Sequence, residues 1–173
     1  VALYAMLVGV ANKLQSAMLA PTEVLAEQHF LSLSNFLSGS GVRIELVTQR
    51  TKRESKALLE ALSEGEIHIA VGTQALIQRD VDFANLGLVV IDEQHRLGVR
   101  QRAHLREKGL SPHYLVMTAT PIPRTLALSF FADFDVTTIN ELPPGRGVIE
   151  THWLRKPGAA RAWELIKKEV ESG

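Results

Sequence analysis

Val89-Val90-Ile91-Asp92-Glu93-Gln94-His95 is the stretch that decides how this chain is read. Apolar, β-branched residues lead straight into two adjacent carboxylates and a Gln-His pair. The preceding Leu88–Ile91 run has the continuous apolar character of a strand buried on both faces of a parallel sheet. A strand that ends in Asp-Glu puts acid groups where a nucleotide-hydrolysing fold needs them, beside a Mg²⁺-bound triphosphate. Asp92 can hold Mg²⁺, directly or through a water, because hard cations take oxygen ligands and keep several waters. Glu93 can orient the attacking water or accept its proton. The plainer alternative is an Asp-Glu pair opening a helix and stabilised by its dipole.

Outward from this stretch, helical and strand-like patterns alternate, as they do in a parallel α/β sheet. The spacing predicts helices over 1–11, 22–37, 52–62, 101–108, 124–131 and 161–171. It predicts strands over 16–19, 42–47, 67–71, 88–91, 114–117, 136–139 and 148–154. Glu141-Leu142-Pro143-Pro144-Gly145-Arg146-Gly147 packs two prolines and two glycines into seven residues and is the expected linker. It divides the chain into a domain over 1–140 and the opening of a second over 148–173. Val1–Val10 starts mid-element without an N-cap, and the last helix stops at Ser172-Gly173, so both ends look cut.

Composition sets outer limits. The chain has 173 residues, of which 46% are hydrophobic, enough for a real core. No apolar run is long enough to span a membrane, and no signal peptide opens the sequence. Cys is absent, which removes disulfides, zinc knuckles and a Cys nucleophile. A cytoplasmic protein fits these facts. Formal net charge is zero, unlike that of a dedicated nucleic-acid coat. Basic clusters at Arg50, Lys52, Arg53 and Lys56, and again from Arg96 to Lys108, are either solvated helix faces or phosphate contacts.

Ligands of such sheets bind beyond the carboxyl ends of the strands. Four polar clusters follow directly on predicted strands: Pro21-Thr22-Glu23, Gly72-Thr73-Gln74, Asp92-Glu93-Gln94-His95 and Thr118-Ala119-Thr120. Any one alone reads as a loop; together they predict one shared active edge. The Thr118 and Thr120 hydroxyls can bond to His95 or to a phosphate-bound water. The remaining histidines, His29 among them, have no metal-ligand spacing and read as structural or surface residues. No GxxxxGK[ST] phosphate loop occurs, because no Gly in the chain is followed by Lys.

These clusters, in this order, resemble motifs Ia, Ic, II and III of the superfamily 2 helicases. Ala20-Pro21-Thr22-Glu23-Val24-Leu25-Ala26-Glu27-Gln28-His29, the Asp92–His95 box, Met117–Arg124 and Glu141–Arg146 together resemble the RecG-type ATP-dependent DNA helicases over almost the whole chain. The resemblance implies a RecA-like P-loop NTPase fold that lacks its phosphate loop here, followed by the start of a second RecA-like domain. It implies ATP and Mg²⁺ as cofactors and branched double-stranded DNA, such as stalled forks and Holliday junctions, as the partner of a monomeric motor. By the same resemblance Asp92 would ligate Mg²⁺ through water and Glu93 would be the catalytic base. Gln94 and His95 would link the nucleotide to the DNA track, and Thr118 and Thr120 would couple hydrolysis to domain movement. Pro21, Thr22, Glu23, Gln28, Thr73 and Gln74 would lie along DNA. Leu97 stands where that family usually has Phe, and Thr48–Lys52 lacks its usual Gly-Ser. A translocase like the transcription-repair coupling factor and a non-catalytic DNA-binding remnant are the alternatives. Without a phosphate loop, the chain alone is expected neither to hydrolyse ATP usefully nor to unwind DNA.

Overall fold

The computed structural model describes residues 1–78, 80–93, 111–119, 135–141, 151, 153 and 159–172. Two compact units divide the chain, Val1–Arg124 and Thr125–Gly173.

The first unit is built on five parallel strands: β1 (Gln15–Leu19), β2 (Ile44–Val47), β3 (Ile69–Gly72), β4 (Leu86–Asp92) and β5 (His113–Met117), in the spatial order β2-β3-β1-β4-β5. The run read as a buried strand, Leu88–Ile91, lies in β4 with Val89, Val90 and Ile91 buried, and every residue of its neighbours β1 and β3 is buried as well. After β3 the chain crosses β1 and continues on its other side. The order of addition therefore reverses between β1 and β4, and a sheet of this class binds its ligands in the crevice at such a reversal.

Because side chains alternate along a strand, the sheet feeds two cores. Ala17, Leu19, Ala70, Val89 and Ile91 point to one face, where they meet Leu58, Ala61, Leu62 and Leu76. Met18, Ile69, Val71 and Val90 point to the other, against Met6 of helix α1 (Ala2–Ala11) and Leu33 and Leu37 at helix α2 (Glu23–Phe36). By this alternation Asp92, two residues after Val90, belongs to the face that carries α1 and α2.

Local sequence explains most boundaries. Thr22 is extended and accepts a hydrogen bond from the Leu25 amide at 3.3 Å, so α2 starts one residue after the expected start. The single helix expected over 52–62 is instead two, α3 (Gln49–Glu54) and α4 (Lys56–Ser63). Thr48 and Thr51 form a reciprocal capping box at the start of α3. Ser55, extended at φ −138°, ψ 101°, ends α3 and caps α4 through the Leu58 amide. A serine hydroxyl offers the backbone a competing partner, and here it wins over helical periodicity. Gln74–Ile77 forms one 3₁₀ turn directly after β3.

In the second unit, Ala159–Ser172 is a helix, α5, matching expectation. The strand expected over 136–139 is not formed. Val136 and Ile139 are 69% and 73% exposed, and among the described residues they have no neighbouring strand to satisfy their backbone. The expected helices over 101–108 and 124–131, the linker beyond Glu141, and most of the strand expected over 148–154 lie outside the described residues.

At the end of β1 away from the polar clusters, Gln15 is buried. Its amide nitrogen donates to the carbonyls of Leu62 (2.9 Å) and Ile67 (2.8 Å), and its oxygen accepts from the Asn85 amide (3.0 Å). At the opposite end β2 and β3 converge so tightly that a Cβ on Gly72 would lie 2.0 Å from the Val47 carbonyl oxygen. Backbone cannot yield as a flexible side chain would. Gly72→Ala is therefore expected to destabilise the protein by about 1–3 kcal/mol, the range for overpacking a filled site. Urea unfolding of the two proteins measures this, and an unchanged midpoint would contradict it.

Candidate active site

The register of the sheet brings the four polar clusters to one line. Val47 pairs with Gly72, Gly72 with Leu19, Leu19 with Ile91, and Ile91 with Val116. The residues that follow these positions share one edge of the sheet. Pro21 and Thr22 come off β1, Thr73 and Gln74 off β3, Asp92 and Glu93 off β4, and Thr118 off β5. The shared edge expected from strand-then-polar spacing is present for every cluster at its described residues. Gln94, His95 and Thr120 lie outside the described residues.

Within that edge, Leu19, Ala20, Pro21, Gln74, Ile91, Asp92 and Glu93 line a shallow depression. It sits at the reversal point between β1 and β4 and extends to the end of β3. Pro21, Gln74, Asp92 and Glu93 meet here. Gln28, exposed on α2, and Thr118, exposed after β5, are not among its lining residues.

Asp92 is the last residue of β4, half-buried, and not the first residue of a helix. Its Oδ2 lies 2.7 Å from Nε2 of His29. An ionised carboxylate only accepts, so Nε2 carries the proton and donates. His29, read as a structural or surface residue, is half-buried and bonded to Asp92. His29 lies three residues after the buried Ala26 and four before the buried Leu33, so it occupies the inward stripe of α2.

Glu93 follows with φ +50°, in the left-handed region that a non-glycine residue enters at a cost. Its amide donates to the Met117 carbonyl at 3.1 Å, which fixes this turn to the end of β5. Asp92 is bonded towards α2, and Glu93 joins it in the lining of the depression.

Thr22 and Thr73 both cap the element that follows them, Thr73 by accepting from the Ala75 amide at 3.5 Å. A hydroxyl that accepts still has its own proton to donate. The capping role and a phosphate contact are compatible at both positions.

Lys52, read with its neighbours as a solvated or phosphate-binding cation, is neither. It is 7% exposed, and its Nζ donates to Gln78 (2.8 Å) and Asp80 (2.7 Å). It thereby ties α3 to the segment that follows the 3₁₀ turn behind Gln74. Arg50 and Lys56 are exposed and paired within their own helices, to Glu54 and Glu60.

Among the described residues no group of three or more His, Asp or Glu side chains could hold a metal ion. Among the described residues there is no resident metal cage. A Mg²⁺ that arrives on a triphosphate does fit, because such an ion keeps its waters and phosphate oxygens and asks the protein for one or two carboxylates.

A family model for DEAD/DEAH box helicases matches residues 1–128. The chain is 49% identical, over its full length, to the ATP-dependent DNA helicase RecG of Synechocystis sp., and 48% identical to that of Bacillus subtilis. It spans 21% and 25% of the lengths of these relatives. A solved structure of RecG bound to a three-way DNA junction superposes on 99% of the chain with a TM-score of 0.82 at 39% identity, and the chain covers 23% of it.

The Lys52–Asp80 pair predicts an asymmetry. Asp80→Ala leaves a buried ammonium with Gln78 as its partner and is expected to cost about 1–3 kcal/mol. Lys52→Met removes the buried charge and fills its space with apolar atoms, while Asp80 is 64% exposed and stays solvated, so it should cost less. Equal losses in chemical denaturation would refute this account of the pair.

Proposed function

This chain belongs to the DEAD/DEAH box helicase family, and we propose that it forms part of the motor of an ATP-dependent helicase that unwinds branched DNA in repair and recombination. The observation that carries the reading is the meeting of Asp92, Glu93, Pro21 and Gln74 in one depression at the reversal point of a parallel sheet. Similarity to RecG, and to the RecG structure on a three-way DNA junction, favours forks and junctions as the substrate class.

In this reading Asp92 would hold, through water, the Mg²⁺ of a bound ATP, and that ion would supply charge neutralisation at the phosphates. Glu93 takes the proton of the attacking water. The engagement of Asp92 by His29 and the presence of Glu93 in the same lining support this division of labour. Gln94 and His95 link the nucleotide to the DNA track, and Thr118 and Thr120 couple hydrolysis to movement of a second RecA-like domain that begins near residue 148, after a linker over 141–147. Pro21, Thr22, Glu23, Gln28, Thr73 and Gln74 lie along the DNA backbone. Short polar side chains and a helix N-terminus suit phosphate contacts that ignore sequence. A monomeric, cytoplasmic motor goes with this reading.

Two results test it. In the full-length protein, Glu93→Gln should abolish ATP hydrolysis while ATP still binds; turnover near wild type would remove Glu93 as the base. The 173-residue chain itself, which contains no GxxxxGK[ST], should show no DNA-stimulated ATPase. Robust turnover by it would mean that phosphates are held in another way.

A further inference from the structure

The proposed mechanism leaves one close contact at the depression unused, the 2.7 Å hydrogen bond from His29 Nε2 to Asp92 Oδ2. Both side chains are mostly withdrawn from water, 27% and 22% exposed, and they come from elements 63 residues apart. Each is held from behind. His29 sits on the inward stripe of a 14-residue helix packed on β2 and β3. Asp92 ends a strand paired through Met117 to β5, and the next amide is bonded to the Met117 carbonyl. Neither group is free to wander, so the bond joins two rigid bodies. A surface ion pair between long, mobile side chains would not do this.

We propose that His29 is a positioning residue for the nucleotide-borne metal: it fixes the Asp92 carboxylate with Oδ2 turned to α2 and Oδ1 presented to the cation. The inference rests on the reading of Asp92 as the Mg²⁺-facing acid and adds a partner that this reading does not contain. Carboxylates that face a metal are commonly oriented by a hydrogen bond to their second oxygen, and loss of such an outer partner typically weakens metal binding about 10–100-fold. The bond also means that α2, whose first turn opens at Thr22 on the proposed DNA edge, grips the nucleotide side at His29. One helix therefore touches both functions.

The test uses two substitutions in the full-length protein. In His29→Gln the side-chain amide nitrogen reaches about as far from the backbone as Nε2 does. In His29→Asn it falls one methylene short. Both are polar and suit a half-buried helix position. Equilibrium binding of a fluorescent N-methylanthraniloyl ATP is measured against Mg²⁺ concentration and again in EDTA, beside thermal unfolding and steady-state ATP turnover. His29→Asn should raise the Mg²⁺ concentration needed for half-maximal binding by about tenfold. His29→Gln should restore most of the loss, and binding in EDTA and the melting temperature should stay as in wild type. Unchanged Mg²⁺ dependence in His29→Asn would overturn the proposal. So would equal losses in both variants, or a loss that tracks a lowered melting temperature, since a merely structural role produces that pattern. Wild-type protein without any Mg²⁺-dependent nucleotide binding would overturn the reading of Asp92 together with that of His29. The variant results alone strike only His29.

Discussion

The alignment of five parallel strand ends is the constraint on which the rest depends. Leu19, Val47, Gly72, Ile91 and Val116 stand side by side, so the residues after them must share one edge. None of those residues needs to be near another in sequence. The hydrogen-bonded ladder converts separations of tens of residues into neighbourhood, and it does so only because no strand is displaced from the row. The close approach of β2 and β3 at Gly72 is part of the same constraint, since any side chain there would force the two strand ends apart.

Much of this was legible in the sequence. The run over 88–91 announces a strand buried on both faces, because no polar residue interrupts it, and the polar clusters after this and the other predicted strands announce a common edge. What stayed hidden had physical causes. His29 carries no spacing signature, because its partner comes from a strand rather than from its own helix. Ser55 sits within a sound helical pattern, and only the competition between its hydroxyl and the backbone ladder breaks that pattern. Lys52 looks like a surface cation until α3 is placed over the segment that carries Gln78 and Asp80. Val136 and Ile139 have the side chains of a strand, but a strand also needs a partner, and sequence pattern does not report one.

At the candidate site, structural and chemical duties are layered on the same residues. Thr22 and Thr73 cap the elements that follow them, and their hydroxyl protons are still available to a phosphate. Glu93 holds an uncommon backbone conformation and supplies an acid. A residue that begins an element at the rim of a sheet is placed reproducibly by its own capping bond. The chemistry thus gains precision from interactions that would exist without it.

Gln15, at the far end of β1 from all of this, bears on how the chain finds its fold. Its amide meets Leu62, Ile67 and Asn85 at a single setting of the central strand. Assembly of β1 with β3 and β4 joins distant segments, the slow kind of encounter in which misaligned pairings have time to form. A slip of one residue would turn every side chain of β1 to the wrong face. It would also strand a buried amide and three backbone groups without partners, at about 1–3 kcal/mol each. The wrong alignments are thereby made costly at the end of the strand away from the polar clusters. Gln15 thus makes the native register of β1 the one that satisfies its buried amide, and the edge that depends on this register is one it never touches.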